Sequence, residues 1–405
     1  MSNFAFGTYR VSDIVPTHIN AIKEAIESGV QLIDTSTNYT DGGAERAIAL
    51  AFRGLEDCID DIAIVSKAGY IQGSVLKAYK ESRFFHGDVV EFSDDCYHSI
   101  APEFLHNQLS ESLMRLEREN IDCYLLHNPE YYLFDAIKKG VPKDERLDEI
   151  YARIEEAFVA LEEEVASGRI NSYGISSNSF SLPSSSDEFL PYEDLVTLAE
   201  NAAKKAGKNA HSFSTIELPH NLLERGGIGC MSWAKQNSLR VLTNRPLNAM
   251  HNSMMYRLAD YDEAKNYYYY LNELIEFTDN DLLKPLFNLI IELDESKHKF
   301  GWVGEWDTFL YAQVIPHMQS ALKKLDEKNQ QTLLQYIDIF LKEYREMVLY
   351  ECSKKTKQLL KDILDGCDGS LQSCAIKYLN SIDDIDYIIV GMRKPSYVHD
   401  ILGLG

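Results

Sequence analysis

The stretch FLHNQLSESLMRLERENIDCYLLHNPE, residues 104–130, is the shortest piece from which the fold can be read. Leu105, Leu109, Leu113 and Leu116 recur three and four residues apart, so a helix over 104–119 carries them on one apolar stripe. IDCYLLH, 121–127, has the length of a strand and is almost continuously apolar. Such a run suits a parallel strand covered on both faces. It ends on a histidine.

The same alternation extends in both directions. Upstream, 6–11 reads as a first strand, followed by Ile19, Ile22 and Ile26 at helical spacing. VQLID (30–34) is a second strand before helical AERAIALAFRGL, and DIAIVSK (61–67) is a third. Downstream, Ile154, Phe158, Leu161 and Val165 form a helical stripe. INSYGIS (170–176), FSTIELP (213–219), LRVLTN (239–244) and DYIIVG (386–391) then complete eight strands. Eight alternating units in an α/β chain favour a (β/α)8 TIM barrel over an open doubly wound sheet. An open dinucleotide-binding sheet would also carry G-x-G-x-x-G after an early strand, and none stands there.

A barrel of this kind needs about 250 residues, which leaves a surplus of roughly 150. Most of it falls between strands seven and eight. The expected division is therefore a first barrel segment 1–248, a helical insertion 249–366 and a last barrel segment 367–405. The insertion holds the aromatic run Tyr267, Tyr268, Tyr269 and Tyr270, read as a helix face, and a stripe of Leu333, Tyr336, Ile337, Phe340 and Leu341. It leaves the barrel where catalytic loops emerge, so it is expected to cap the mouth. A second surplus, 69–101, follows strand three, and SLPSSSDE (181–188) is a turn-rich connector.

Forty Lys and Arg against 63 Asp and Glu give a net charge of −23, which opposes nucleic acid and anionic membranes as partners. The seven cysteines, 58, 96, 123, 230, 352, 367 and 374, include no C-x-x-C pair, and MSNFAFGTYRVSD has no apolar signal region. Reduced thiols in the cytoplasm are the expectation.

Polar groups at the C-terminal ends of barrel strands are the first candidates for chemistry. Asp34 ends strand two, with Tyr39 in the loop beyond; Lys67 ends strand three and His127 ends strand four. A lysine facing the mouth can be held by the neighbouring carboxylate, and a nearby tyrosine should have its pKa lowered by the cation. A neutral histidine would orient a carbonyl oxygen. Asp34 and Lys67 alone would read equally well as an ion pair tying two strands. His86, His98 and His106 read as surface or loop residues, and HGDVVEFSDDCYH (86–98) lacks zinc spacing, so no metal is expected.

DTSTNY (34–39), the Lys of IVSK and the His of IDCYLLHNPE resemble the aldo-keto reductase superfamily. Its Asp, Tyr, Lys, His tetrad matches Asp34, Tyr39, Lys67 and His127 in order and strand position, and the likeness covers most of 4–247 and 371–402. The resemblance implies NAD(P)-dependent interconversion of a carbonyl compound and its alcohol, with Tyr39 as general acid and base. NADPH is expected in preference to NAD. GISSN resembles the carboxamide-binding Ser-Asn segment, here Ser177 (over Ser176) and Asn178. Asn244, Arg245, Pro246 and Leu247 resemble the segment along the pyrophosphate. Gly391, Arg393, Lys394, Tyr397 and Asp400 lie in the segment similar to the adenosine-phosphate grip.

Two departures stand out. Glu217 occupies the place of the family's usual Gln at the cofactor, and Tyr397 that of its common phosphate-clamping Arg. Many members also finish with a helix that has no counterpart before Gly405. The implied partner is a small aldehyde, ketone, sugar or alcohol, with self-association into a homo-oligomer left open. The alternative is a non-catalytic subunit that senses nicotinamide redox state.

Overall fold

The computed structural model describes residues 3–55, 59–82, 85, 87–279 and 281–403, so Cys58 and His86 lie outside the described residues. The chain divides into two compact units, Met1–Pro246 with Ile376–Gly405, and Leu247–Ala375.

The first unit is a closed barrel of eight parallel strands. They are β1 (Phe4–Gly7), β2 (Leu32–Asp34), β3 (Ala63–Ala68), β4 (Ile121–His127), β5 (Ile170–Ser176), β6 (Phe213–Pro219), β7 (Arg240–Asn244) and β8 (Tyr387–Val390). Their order around the barrel is their order in the chain, and β8 closes onto β1. Helices between them cover the outside, among them Gly43–Phe52, Pro102–Leu116, Lys143–Ala166 and Leu195–Lys205. The first strand lies earlier than the expected 6–11. Pairing of Phe4 with Ile388 and of Phe6 with Ile33 fixes it, and the chain turns beyond Gly7, leaving Tyr9 and Arg10 exposed.

Strand residues alternate sides, and Ala5, Leu32, Val65, Cys123, Leu125, Leu242 and Ile389 fill the interior. Two residues further along, on the same inward side, come Asp34, Lys67, His127 and Asn244. The polar site is thus the top layer of the barrel's own filling.

The surplus at 69–101 folds as a small antiparallel sheet of Tyr70–Ile71, Val90–Ser93 and Cys96–His98, with the helix Gly73–Ser82. Outside the barrel wall, Glu45 of helix Gly43–Phe52 is fully buried. It accepts from Ser66 Oγ on β3 and from Arg115 Nε on helix Pro102–Leu116, each at 2.7 Å.

The second unit begins with a hairpin, Asn248–His251 against Met254–Arg257, where a purely helical pattern was expected. Asn252 and Ser253 both have positive φ, 50° and 62°, the two-residue turn whose twist suits paired strands. Helices Tyr267–Thr278, Lys284–Ser296, Val303–Phe309, Ile315–Leu322 and Glu327–Leu359 follow. They bury Leu274, Ile290, Trp306, Leu333, Phe340 and Tyr344, with the Trp306 and Tyr344 rings 4.4 Å apart. In the aromatic run Tyr267 is buried, while Tyr268 and Tyr269 are exposed. Cys367 and Cys374 form a disulfide, against the expectation of reduced thiols throughout; the turn between helices brings their Cα atoms to 6.1 Å. No helix among the described residues is long and apolar enough to cross a membrane.

Glu45→Ala leaves the Arg115 guanidinium and the Ser66 hydroxyl without their buried acceptor. The expected loss is about 3 kcal/mol of unfolding free energy, the lower end for breaking one side of a buried ion pair. Urea denaturation followed by circular dichroism measures it.

Candidate active site

Lys67 stands at the centre of the barrel's C-terminal end and is fully buried. Its Nζ donates to Asp34 Oδ2 and, at 3.1 Å, to the Thr35 carbonyl. Glu217 Oε2, from β6, approaches the same nitrogen to 3.2 Å as an ion pair without hydrogen-bond alignment. The other Glu217 oxygen accepts from Asn244 Nδ2 at 2.8 Å. Glu217 thus touches Lys67 and Asn244 at the level of the tetrad.

Burial by itself would lower the Lys67 pKa, but Asp34 and Glu217 outweigh it and raise it above the ordinary range, holding the ammonium. Asp34 is pushed well up, first by burial and then by the Glu217 charge, against the pull of Lys67. Two carboxylates share one cation here.

Tyr39, in the loop after β2, has its ring centroid 5.4 Å from Lys67 Nζ and meets Tyr9 and His127 edge-on, at 5.3 and 6.0 Å. The expected lowering of its pKa is not what the structure gives. Burial of the hydroxyl raises it, Lys67 pulls it down less, and Asp34, Glu217 and Tyr9 add to the rise. The cation that was to stabilise phenolate is already matched by carboxylates.

His127 is held from three sides. Nδ1 lies 3.0 Å from Ser36 Oγ, the ring meets Tyr70 edge-on at 4.8 Å, and its carbonyl lies 2.8 Å from His98 Nε2. Because a carbonyl only accepts, His98 carries its proton on Nε2. His98 is 2% exposed, so its reading as a surface or loop residue is wrong: residues 96–98 pair as the central strand of the small sheet and turn it inward. Burial lowers His98 to about 4. It also lowers His127 well below the usual range, and Lys67 adds to that effect, so the His127 ring is neutral near pH 7.

Beyond β5, Ser177 is buried and donates its backbone N–H to the Glu217 carbonyl at 3.0 Å, while its Oγ accepts from Ser179 N at 3.1 Å. Asn178 is exposed and its Oδ1 accepts from Arg245 Nη2 at 3.0 Å. Arg245, at φ 57°, also pairs with Glu224 at 3.2 Å, and Pro246 is buried next to it. Leu247 belongs to the second unit. Gly391, Arg393, Lys394, Tyr397 and Asp400 are exposed at the end of β8 and on helix Pro395–Leu402, with Lys394 Nζ 5.4 Å from the Tyr397 ring.

Sequence reasoning passed over Ser36, His98 and Glu130. Glu130 is buried, raised to about 7 by desolvation, and accepts the backbone N–H groups of Asn178 and Ser179 at 2.9 and 3.3 Å. Ser36 and Glu130 lay inside the motifs DTSTNY and HNPE, where a polar residue at a strand end was the available signal. Among the described residues, no group of three or more His, Cys, Asp or Glu is placed to hold a metal ion.

Residues 5–188, which contain Asp34, Tyr39, Lys67 and His127, match the profile of the Aldo/keto reductase family. Over that segment the chain is similar to the aldo/keto reductase family. Methylglyoxal reductase YeaE of Escherichia coli (strain K12) is 24% identical over 232 residues, 57% of this chain and 58% of that protein. The match therefore spans little more than half of that relative. A solved aldo/keto reductase from Klebsiella pneumoniae, in complex with NADP and acetate, is 21% identical over 61% of this chain and 65% of its own, with a TM-score of 0.39. The aldo-keto reductase AKR11C1 from Bacillus halodurans (holo form) is 15% identical; the alignment covers 100% of this chain and 86% of that one at a TM-score of 0.51, a likeness of fold. Glu217 and Asn244 lie beyond the segment that matches the family profile.

A histidine whose folded pKa is depressed stays neutral until the pH falls well below 6.5. The His127 ring signals, assigned by comparison with His127→Gln, should therefore not titrate in NMR spectra between pH 8 and 6. Because the unfolded chain takes up that proton first, this residue's contribution to stability should begin to be lost as pH falls below about 6.5 and go on falling down to its lower folded pKa.

Proposed function

We propose that the protein is an NAD(P)-dependent oxidoreductase that interconverts a small carbonyl compound and its alcohol. The observation that carries this reading is the buried Lys67 ammonium held by carboxylates beside the Tyr39 phenol, with the neutral His127 ring edge-on to it. These groups suit a carbonyl oxygen that gains a proton, and none of them is an activated nucleophile.

Tyr39 donates its proton to the oxygen in reduction and takes it back in oxidation. Its raised pKa keeps it a phenol at neutral pH, so the proton needed for reduction is in place. His127 orients the oxygen by donating from Nε2. That requires a hydrogen on Nε2 and a lone pair on Nδ1, and Ser36 supplies the matching donor when its hydroxyl turns to Nδ1, 3.0 Å away. Asp34 holds Lys67, and Lys67 bears on Tyr39 through its charge.

When bound, the nicotinamide supplies or accepts the hydride. Polar atoms free to meet its amide and phosphates support the fit: Asn244 Oδ1 and Arg245 Nε are buried without a protein partner. Ser177, Asn178 and Glu217 lie beside them, linked through Asn178 to Arg245 and through Glu217 to Asn244. Arg393 and Lys394 are the exposed cations for a 2′-phosphate, which makes NADPH the preferred form. Methylglyoxal, the substrate in YeaE's name, is a suitable first aldehyde to assay.

Tyr39→Phe should fold and bind NADPH like the parent, by fluorescence titration. Its turnover of methylglyoxal or another small aldehyde should fall at least about 100-fold, the lower range for general acid catalysis. Near-parental turnover would remove Tyr39 from this role. A parent that binds NADPH and turns over no carbonyl compound would point to the redox-sensing alternative.

Replacing both Arg393 and Lys394 by Ala should weaken NADPH at least about tenfold, since one charge-assisted hydrogen bond contributes about 1.5–3 kcal/mol. NADH binding should stay nearly constant in the same titration. Equal losses for the two cofactors would mean that neither residue meets the 2′-phosphate.

A further inference from the structure

Three ionisable side chains meet behind Tyr39, and their formal charges do not balance. Lys67 supplies one positive charge, and Asp34 and Glu217 each supply a carboxylate in direct contact with it. All three are nearly inaccessible, at 0%, 3% and 2% exposure. Fully ionised, the trio would carry one uncompensated negative charge in the barrel interior, which is costly without a partner. Among the described residues, no second ion pair joins either carboxylate to a cation. Arg245, elsewhere at the mouth, is paired with Glu224. The other groups facing the trio are Thr35 and Asn244, which are uncharged, the Tyr39 and Tyr9 phenols, and the neutral His127.

We propose that Glu217 makes the trio hold a proton at neutral pH, so that the buried site is neutral as a whole. Glu217 is then a positioning residue: it acts on Tyr39 through the charge balance around Lys67. With the stored proton in place, one cation faces one anion, and the Tyr39 phenol sees no net negative charge to hold back its proton. The raised pKa of Asp34 agrees with this. The inference rests on the oxidoreductase reading for its consequence in turnover, though the proton itself exists whether or not the protein turns over a carbonyl.

Glu217→Gln tests it, because the substitution keeps the shape and removes one ionisable group. Asn244 Oδ1 has no partner in the parent, so the Asn244 amide can reverse and accept from the new Gln while the Gln oxygen faces Lys67. The remaining Asp34 should then ionise as the single counterion of Lys67. In an infrared difference spectrum at pH 7, parent minus Glu217→Gln should show loss of one protonated carboxyl C=O band and no net loss of carboxylate bands. Asp34→Asn should remove the same protonated band, which keeps the test open if one variant folds poorly by thermal melting. A difference spectrum that shows a lost carboxylate and no protonated band in either variant would overturn the stored proton. These spectra need no turnover, so an inactive parent with the protonated band would refute only the oxidoreductase reading. In an active parent, aldehyde reduction should fall severalfold with rising pH as the trio loses its proton. In Glu217→Gln it should stay flat over the same range; a parallel fall in both would leave Glu217 without the proposed effect on Tyr39.

Discussion

An ammonium group sealed from water has to be surrounded by opposite charge and acceptors, and Lys67 imposes that condition on one end of the barrel. The partners come from separate strands. Asp34 ends β2, the Thr35 carbonyl follows it, and Glu217 stands near the end of β6, across the interior. Asp34 pairs with Val65 and Lys67 with Leu125, a register that sets each polar side chain beside an inward apolar residue of the next strand. A slip of one residue on β3 would turn Lys67 to the helix side and place Ser66 inside. Glu45, which accepts from Ser66, reinforces the register from the other face of the strand. Fold and site are therefore fixed by one set of contacts.

That charge condition reaches the rest of the mouth. A cation with no counterion would lower a neighbouring phenol and strongly oppose protonation of a neighbouring imidazole. With Asp34 and Glu217 in place Lys67 still pulls Tyr39 down and still opposes protonation of His127, but burial is the larger effect on both groups. Tyr39 stays protonated and His127 stays neutral for the same reason: each would have to form an ion away from water.

Periodicity carried most of the fold, because the stripes and apolar runs that build a barrel are local. β4, β5 and β6 have the bounds expected from the sequence, as the apolar runs stop at His127, Ser176 and Pro219 at the barrel mouth. β1 was displaced because its limits depend on pairing with Ile33 and Ile388, partners far away in sequence. The hairpin at 248–257 was missed because its turn is Asn-Ser, which lacks the glycine that usually marks such a turn. The inward position of the four tetrad residues was legible, since each ends or follows a strand. The direction of the Tyr39 shift was not. It is set by the sum of burial and four charged or polar neighbours, of which Glu217 lies 178 positions along the chain. A pairwise argument from Lys67 alone gives the wrong sign.

His98 shows how a segment with no part in the barrel still governs it. The residues after β3 leave the mouth, form the small sheet and return, and Gly69 is the hinge at which they do so. A side chain at Gly69 would collide with the His127 carbonyl, and this close approach brings His98 Nε2 to that same oxygen. The bond satisfies a backbone acceptor at the end of β4 that has no further strand residue to pair with. It also fixes the backbone from which the His127 ring projects. Tyr70, from the same segment, lies against the ring, and its hydroxyl accepts from Asn128 Nδ2 at 2.6 Å. A charged His98 would place a second cation within reach of His127 and Lys67, but burial keeps it neutral down to about pH 4. The small sheet thus supports the orientation of His127 without adding charge to the site. Its contribution is geometric, and it depends on a glycine where the two backbones meet.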